Sequence, residues 1–69
     1  MFFEFETVKK EKIALNLQHI LFITPGKQNG AVIVDTLGMD YKTNESYEDV
    51  LHRLKHLEFF KVWQNVQNV

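Results

Sequence analysis

The chain has 69 residues, a mass of 8.2 kDa and a formal net charge of −1, with 45% hydrophobic and 25% charged residues. This composition excludes an intrinsically disordered chain, and the absence of Cys excludes a disulfide-stapled scaffold and Cys-based zinc sites. The N terminus lacks a basic stretch followed by a long apolar segment, so we expect one soluble, cytoplasmic domain over residues 1–69.

Two strands are predicted near the N terminus. Phe3 and Phe5 alternate with acidic residues, which is the period-two pattern of a half-buried strand. Ile13, Leu15 and Leu17 show the same spacing after a polar turn.

The next segment is apolar at every position from 20 to 23, which favours a central strand covered on both faces. It ends at Pro25, which cannot donate to a ladder. The sequence PGKQNG predicts a hairpin turn in which Gly26 and Gly30 permit positive φ and Asn29-Gly30 is the hairpin pair.

A buried strand over residues 31–34 and a short edge strand carrying Met39, Tyr41 and Thr43 follow, separated by a turn at 36–38. Five strands joined by short connections favour an antiparallel meander.

A helix is predicted over residues 46–57, because Ser46 can cap it and its apolar residues are spaced at i, i+3, i+4 and i+7. These residues are Tyr47, Val50, Leu51 and Leu54. The fold class is therefore α+β, with one C-terminal amphipathic helix, and Asp49 is expected to pair with Arg53.

The tail is compatible with two structures. Residues 59–63 alternate as a strand would, but Phe59, Val62, Trp63 and Val66 also fit helical spacing. Their stripe is rotated from that of the preceding helix, which favours a break near Glu58 and a final short strand.

Catalytic and ligand-binding patterns are weak. The only Ser, Ser46, is best used as a helix cap, so we predict no enzyme, no catalytic residue and no cofactor. The turn at 25–30 lacks the following helix that a phosphate-binding loop needs. Glu48, His52 and His56 fall at i, i+4 and i+8 on one side of the helix. They lie beside the apolar stripe, where polar residues are expected, and no third His is near in the sequence, so no metal is predicted.

The aromatic content indicates a contact surface. Nine aromatic side chains are many for so small a core, and large apolar surface is expected to remain around Phe59 and Trp63. We therefore predict a non-enzymatic binding module that acts through protein–protein contacts as a homo-oligomer, with Phe59, Lys61 and Trp63 at the contact. The balanced charge does not favour a nucleic-acid partner, and no run is long enough to cross a membrane.

From Ile13 onward the chain resembles the first part of LytTR-type DNA-binding domains. The matching residues are Ile20 to Ile23, Gly26, Lys27, Asn29, Tyr41, Thr43, Ser46, Leu54 and Phe59-Phe60-Lys61-Val62. Where that family has a basic run, this chain has Trp63-Gln64-Asn65. The resemblance implies an alternative function as a small DNA-binding transcriptional regulator.

The chain is also similar to small FlbD-like bacterial proteins. The resemblance lies in Asn16 and Ile20, in Gly38 and Tyr41, and in the helix start with Glu45, Ser46, Glu48 and Val50. It implies a β-meander followed by a helix, and no enzyme.

Overall fold

The computed structural model describes the backbone of residues 1–67 and the side chains of residues 1–57. Five strands precede one helix, and a short 3₁₀ turn at Leu17–His19 connects the second and third strands. The elements are β1 (Phe2–Glu6), β2 (Lys12–Asn16), β3 (Ile20–Pro25), β4 (Ala31–Asp35), β5 (Asp40–Thr43) and α1 (Tyr47–Gln67). The predicted α+β class with one C-terminal helix is confirmed.

The five strands divide into two antiparallel sheets, where the sequence predicted one meander. One sheet pairs β1 with β2, and the other has the order β3-β4-β5. A bridge between Thr7 and Thr43 and a hydrogen bond of 2.8 Å from the Val8 N–H to the Lys42 carbonyl join β1 to β5. These two contacts hold the edges of the two sheets together, and both sheets contribute side chains to one core.

The core lies between the two sheets and the first turns of α1. Alternation in the strands places Phe3 and Phe5 of β1 and Ile33 of β4 in this core, and Val50 and Leu54 reach it from the helix. Phe3, Ile33 and Val50 are the largest fully buried side chains among the described residues. The predicted faces are confirmed at Phe3 and Phe5 of β1 and at Val50 and Leu54 of α1.

The β3–β4 hairpin closes with a turn whose central residues differ from those predicted. The Gly30 N–H donates to the Lys27 carbonyl at 3.0 Å, and Gln28 and Asn29 have φ values of 54° and 63°. Positive φ at both central positions defines a type I′ turn, which matches the twist of the flanking strands. Gly30 has negative φ, and its role is spatial: a Cβ there would lie 2.5 Å from the Thr43 carbonyl oxygen.

The helix begins as predicted and continues further. The Asp49 N–H donates to Ser46 Oγ at 3.1 Å, which is the expected cap. The backbone then stays helical to Gln67, so the predicted break near Glu58 and the final strand are wrong. Residues 58–67 contain no Gly or Pro, and adding residues to an existing helix needs no new nucleation, so a rotated apolar stripe does not end it.

Arg53 anchors the helix to β1. Its Nη1 lies 2.6 Å from Glu45 Oε1, its Nη2 donates to the Glu4 carbonyl, and the guanidinium carbon lies 4.3 Å from the centre of the Phe3 ring. The predicted pair with Asp49 is therefore replaced by three contacts outside the helix. A guanidinium can make these contacts together because its donors lie in one plane and its faces stack on aromatic rings.

Candidate protein-contact surface

A β-bulge in β3 places two neighbouring apolar side chains in solvent. Ile20 pairs with Asp35 and Phe22 pairs with Val34, so Leu21 is the extra residue between consecutive ladder positions. Leu21 and Phe22 are 60% and 48% exposed, and β3 lies at the edge of its sheet. The prediction that residues 20–23 form a central strand covered on both faces is therefore wrong.

The exposed side of the three-stranded sheet carries two rows of side chains, which we call the outer face. The pairing aligns Phe22, Val34 and Asp40 in the Val34 row, and it aligns Thr24, Val32 and Lys42 in the Val32 row. Residues between these rows point into the core, as Ile33 does, so successive strand residues place both rows on the opposite side.

Apolar side chains form the centre of the outer face. Val34 is only 8% exposed and lies outside the core cluster. Phe22 is its cross-strand neighbour, and Val8 is exposed next to Lys42. Exposed large apolar side chains that lie close together, as Leu21 and Phe22 do, are typical of an interaction site.

The two rows contain one acid and one base, and both lie on β5. Asp40 and Lys42 are exposed and belong to different rows, and Lys9 and Glu11 line a pocket beside them. A hollow of about 580 Å³ lies at the Val32 end of the face, and Pro25, Gly26 and Val32 form part of its lining. The surface thus has a protrusion at the bulge and a depression at the hairpin.

The Asp35 side chain stabilises the turn that precedes β5. Its Oδ1 accepts hydrogen bonds from the N–H groups of Leu37 and Met39, both at 2.9 Å, and its Oδ2 accepts the Tyr41 hydroxyl at 2.8 Å. The carboxylate is buried, and the Met39 N–H, with Tyr41 and Leu37, lowers the pKa of Asp35 below its usual value. The hydrogen bond between Tyr41 and Asp35 also raises the pKa of Tyr41. These bonds fix the start of β5, where Asp40 lies.

The sequence-predicted contact residues Phe59, Lys61 and Trp63 belong to the continuation of α1, and their side chains lie outside the described residues. Their role stays a prediction. His52 and His56 are exposed and line a groove of about 500 Å³ between β1 and α1. Within the described part of the chain, no group of three or more His, Cys, Asp or Glu residues is placed to hold a metal ion.

Sequence reasoning missed the bulge and the Asp35 cluster for different reasons. The four apolar residues at 20–23 contain no period-two signal, so the pattern could not show which of them face solvent. The Asp35 cluster did have a signal, because Asp followed by a Gly-containing turn is typical of a side chain that bonds to the backbone two residues on.

No family model, curated protein or solved structure matches this chain significantly. The resemblances to LytTR-type and FlbD-like proteins therefore stay predictions. The described part of the chain has no helix that is long and apolar enough to cross a membrane.

Proposed function

We propose that this protein is a small, non-enzymatic, cytoplasmic binding module that acts through protein–protein contact, and that its outer face binds a second copy of the chain. The observation that carries the proposal is the bulge at Leu21, which places Leu21 and Phe22 together in solvent beside Val34. Burying such a patch removes apolar surface from water, which is the main driving force of most protein association.

A second copy is the partner that fits the chemistry of this face. The two rows carry one acid, Asp40, and one base, Lys42, so each charge of the rows has an opposite charge available on a second copy. A two-fold dimer covers the same patch on both chains with one interface. It also adds buried apolar area to a domain of 69 residues, whose own core is small.

Sedimentation equilibrium at concentrations up to about 100 μM tests the proposal, since weak specific dimers dissociate in the micromolar range. The wild-type chain should be dimeric, and Phe22→Ser should shift it to monomer. Leu37→Ser is the matched control, because Leu37 is 87% exposed in the turn before β5 and lies outside the two rows. Circular dichroism of each variant should show that the fold is retained. A wild-type chain that stays monomeric throughout this range contradicts the proposal.

The alternative function is that of a small DNA-binding transcriptional regulator, as the resemblance to LytTR-type domains implies. Lys27 and Lys42 line the hollow, and no acidic residue belongs to its described lining. A salt titration distinguishes the two functions: binding to DNA phosphates weakens steeply with salt, whereas an apolar protein contact does not. Nanomolar DNA binding with a steep salt slope would favour the regulator.

A further inference from the structure

We infer that the second copy binds in one specific arrangement, in which Asp40 of each chain meets Lys42 of the other and the strands of the two outer faces run antiparallel. This arrangement rests on the proposed function, because it describes how the same face is covered. It names the residues that set the register, and register is what separates one defined dimer from non-specific apolar contact.

The positions of the two charges select the symmetry axis. Asp40 is in the Val34 row and Lys42 is in the Val32 row, two residues apart on β5. A two-fold axis that runs across the strands, level with Ile33, exchanges the two rows and stacks each strand on its own counterpart. Asp40 then faces Lys42 of the second copy, and the symmetry produces this pair twice.

The other in-plane axis gives a poorer match. An axis along β4 would exchange β3 with β5 within each row, and it would place Asp40 over Phe22 and Lys42 over Thr24 of the second copy. A carboxylate would then lose its water against an aromatic ring without gaining a partner, which is costly. The charges therefore favour the axis that runs across the strands.

Shape supports the same axis. With the rows exchanged, Val34 lies over Val32, and Phe22 lies over Thr24 of the second copy. The bulged Leu21 lies just beyond the Val34 row, so it falls beyond the Val32 row of the other chain, beside Pro25. Pro25 lines the hollow of about 580 Å³ at that end. The protrusion of each copy thus meets the depression of the other.

Two opposite charge reversals test the arrangement. In Asp40→Lys, positions 40 and 42 are both basic, and in Lys42→Asp both are acidic. The dimer dissociation constant of each variant alone should be at least about tenfold higher than that of the wild-type chain, because both symmetry-related pairs become repulsive. An equimolar mixture should regain wild-type affinity as a heterodimer, since every contact between the two variants pairs unlike charges. The double variant Asp40→Lys/Lys42→Asp should also regain it.

The control and the salt dependence complete the test. Lys55→Asp makes the same charge change as Lys42→Asp at an exposed helix position and should leave dimerisation unchanged. The gap between the single variants and the wild-type chain should shrink at high salt. A mixture that associates no better than its components overturns the arrangement. If Phe22→Ser still gives a monomer in that case, the outer face stands as the contact; a monomeric wild-type chain overturns the proposed function itself.

Discussion

The Tyr41 hydroxyl donates a hydrogen bond of 2.8 Å to Oδ2 of Asp35, from the second residue of β5 to the last residue of β4. The other oxygen of Asp35 accepts two N–H groups of the turn between these strands. One carboxylate therefore connects both strands and the turn, and its protonation state affects how firmly β5 is held.

Acid should weaken this cluster. The pKa of Asp35 is lowered in the folded chain, chiefly by the Met39 N–H, so its contribution to stability is present above the unfolded pKa of about 4 and is lost as pH falls through the folded value. Asp35→Asn keeps the size of the side chain without the charge. We expect the difference in unfolding free energy between wild type and this variant to stay constant from about pH 5 to pH 8 and to shrink below about pH 4. Urea denaturation across this range measures it, and a pH-independent difference contradicts the assignment.

Alkali should act on the other partner. The pKa of Tyr41 is raised, chiefly by its bond to Asp35, so its contribution is complete below the unfolded pKa of about 10 and is lost as pH rises through the folded value. Tyr41→Phe removes the titrating group. Denaturation midpoints of the wild-type chain should fall towards those of this variant above about pH 10. Midpoints that keep a constant offset from those of Tyr41→Phe through this range contradict the assignment.

Gly30 should not accept a side chain. A Cβ at this position would lie 2.5 Å from the Thr43 carbonyl oxygen, which is backbone and cannot move without disturbing the pairing of β4 with β5. We expect Gly30→Ala to lower the unfolding free energy by about 2 kcal/mol or more. Gly26→Ala is the control: its nearest atoms would lie at 3.3 Å, so the loss should be smaller. Equal losses in the two variants, measured by chemical denaturation, would show that crowding at Gly30 is not the cause.

Replacing Gln28 by Gly should stabilise the chain. Gln28 has a φ of 54° and a ψ of 42°, a left-handed conformation that costs a residue with a Cβ roughly 1 kcal/mol relative to Gly. Part of this gain is offset by the greater entropy of Gly in the unfolded chain, so we expect a net gain of about 0.5 kcal/mol. Lys27→Gly, one residue earlier at a position without positive φ, should bring no gain. Thermal unfolding of both variants measures the contrast.

The first turns of α1 depend on Leu54. This side chain is buried in the core cluster beside Val50, so Leu54→Ala should lower the unfolding free energy by about 2–4 kcal/mol. Lys55→Ala, on the neighbouring exposed position, should change it by less than about 0.5 kcal/mol. A denaturation midpoint that does not change in Leu54→Ala would contradict the assignment of Leu54 to the core-facing side of the helix.

Much of the fold followed from local patterns in the sequence. The alternation of Phe3 and Phe5 and the spacing of Val50 and Leu54 identified core positions, and Ser46 identified the start of the helix. These features could be predicted because burial repeats with the period of the element, and a cap acts within three residues of itself.

Only the tertiary structure determined which surface is available for contact. In residues 20–23, all four side chains are apolar, and the bulge that turns Leu21 and Phe22 outward arises from how β3 registers against β4. A ladder position depends on two strands at once, so the pattern of one strand cannot place it. The same holds for Arg53, which donates to the Glu4 carbonyl and stacks on Phe3, because the fold brings β1 within reach of its guanidinium.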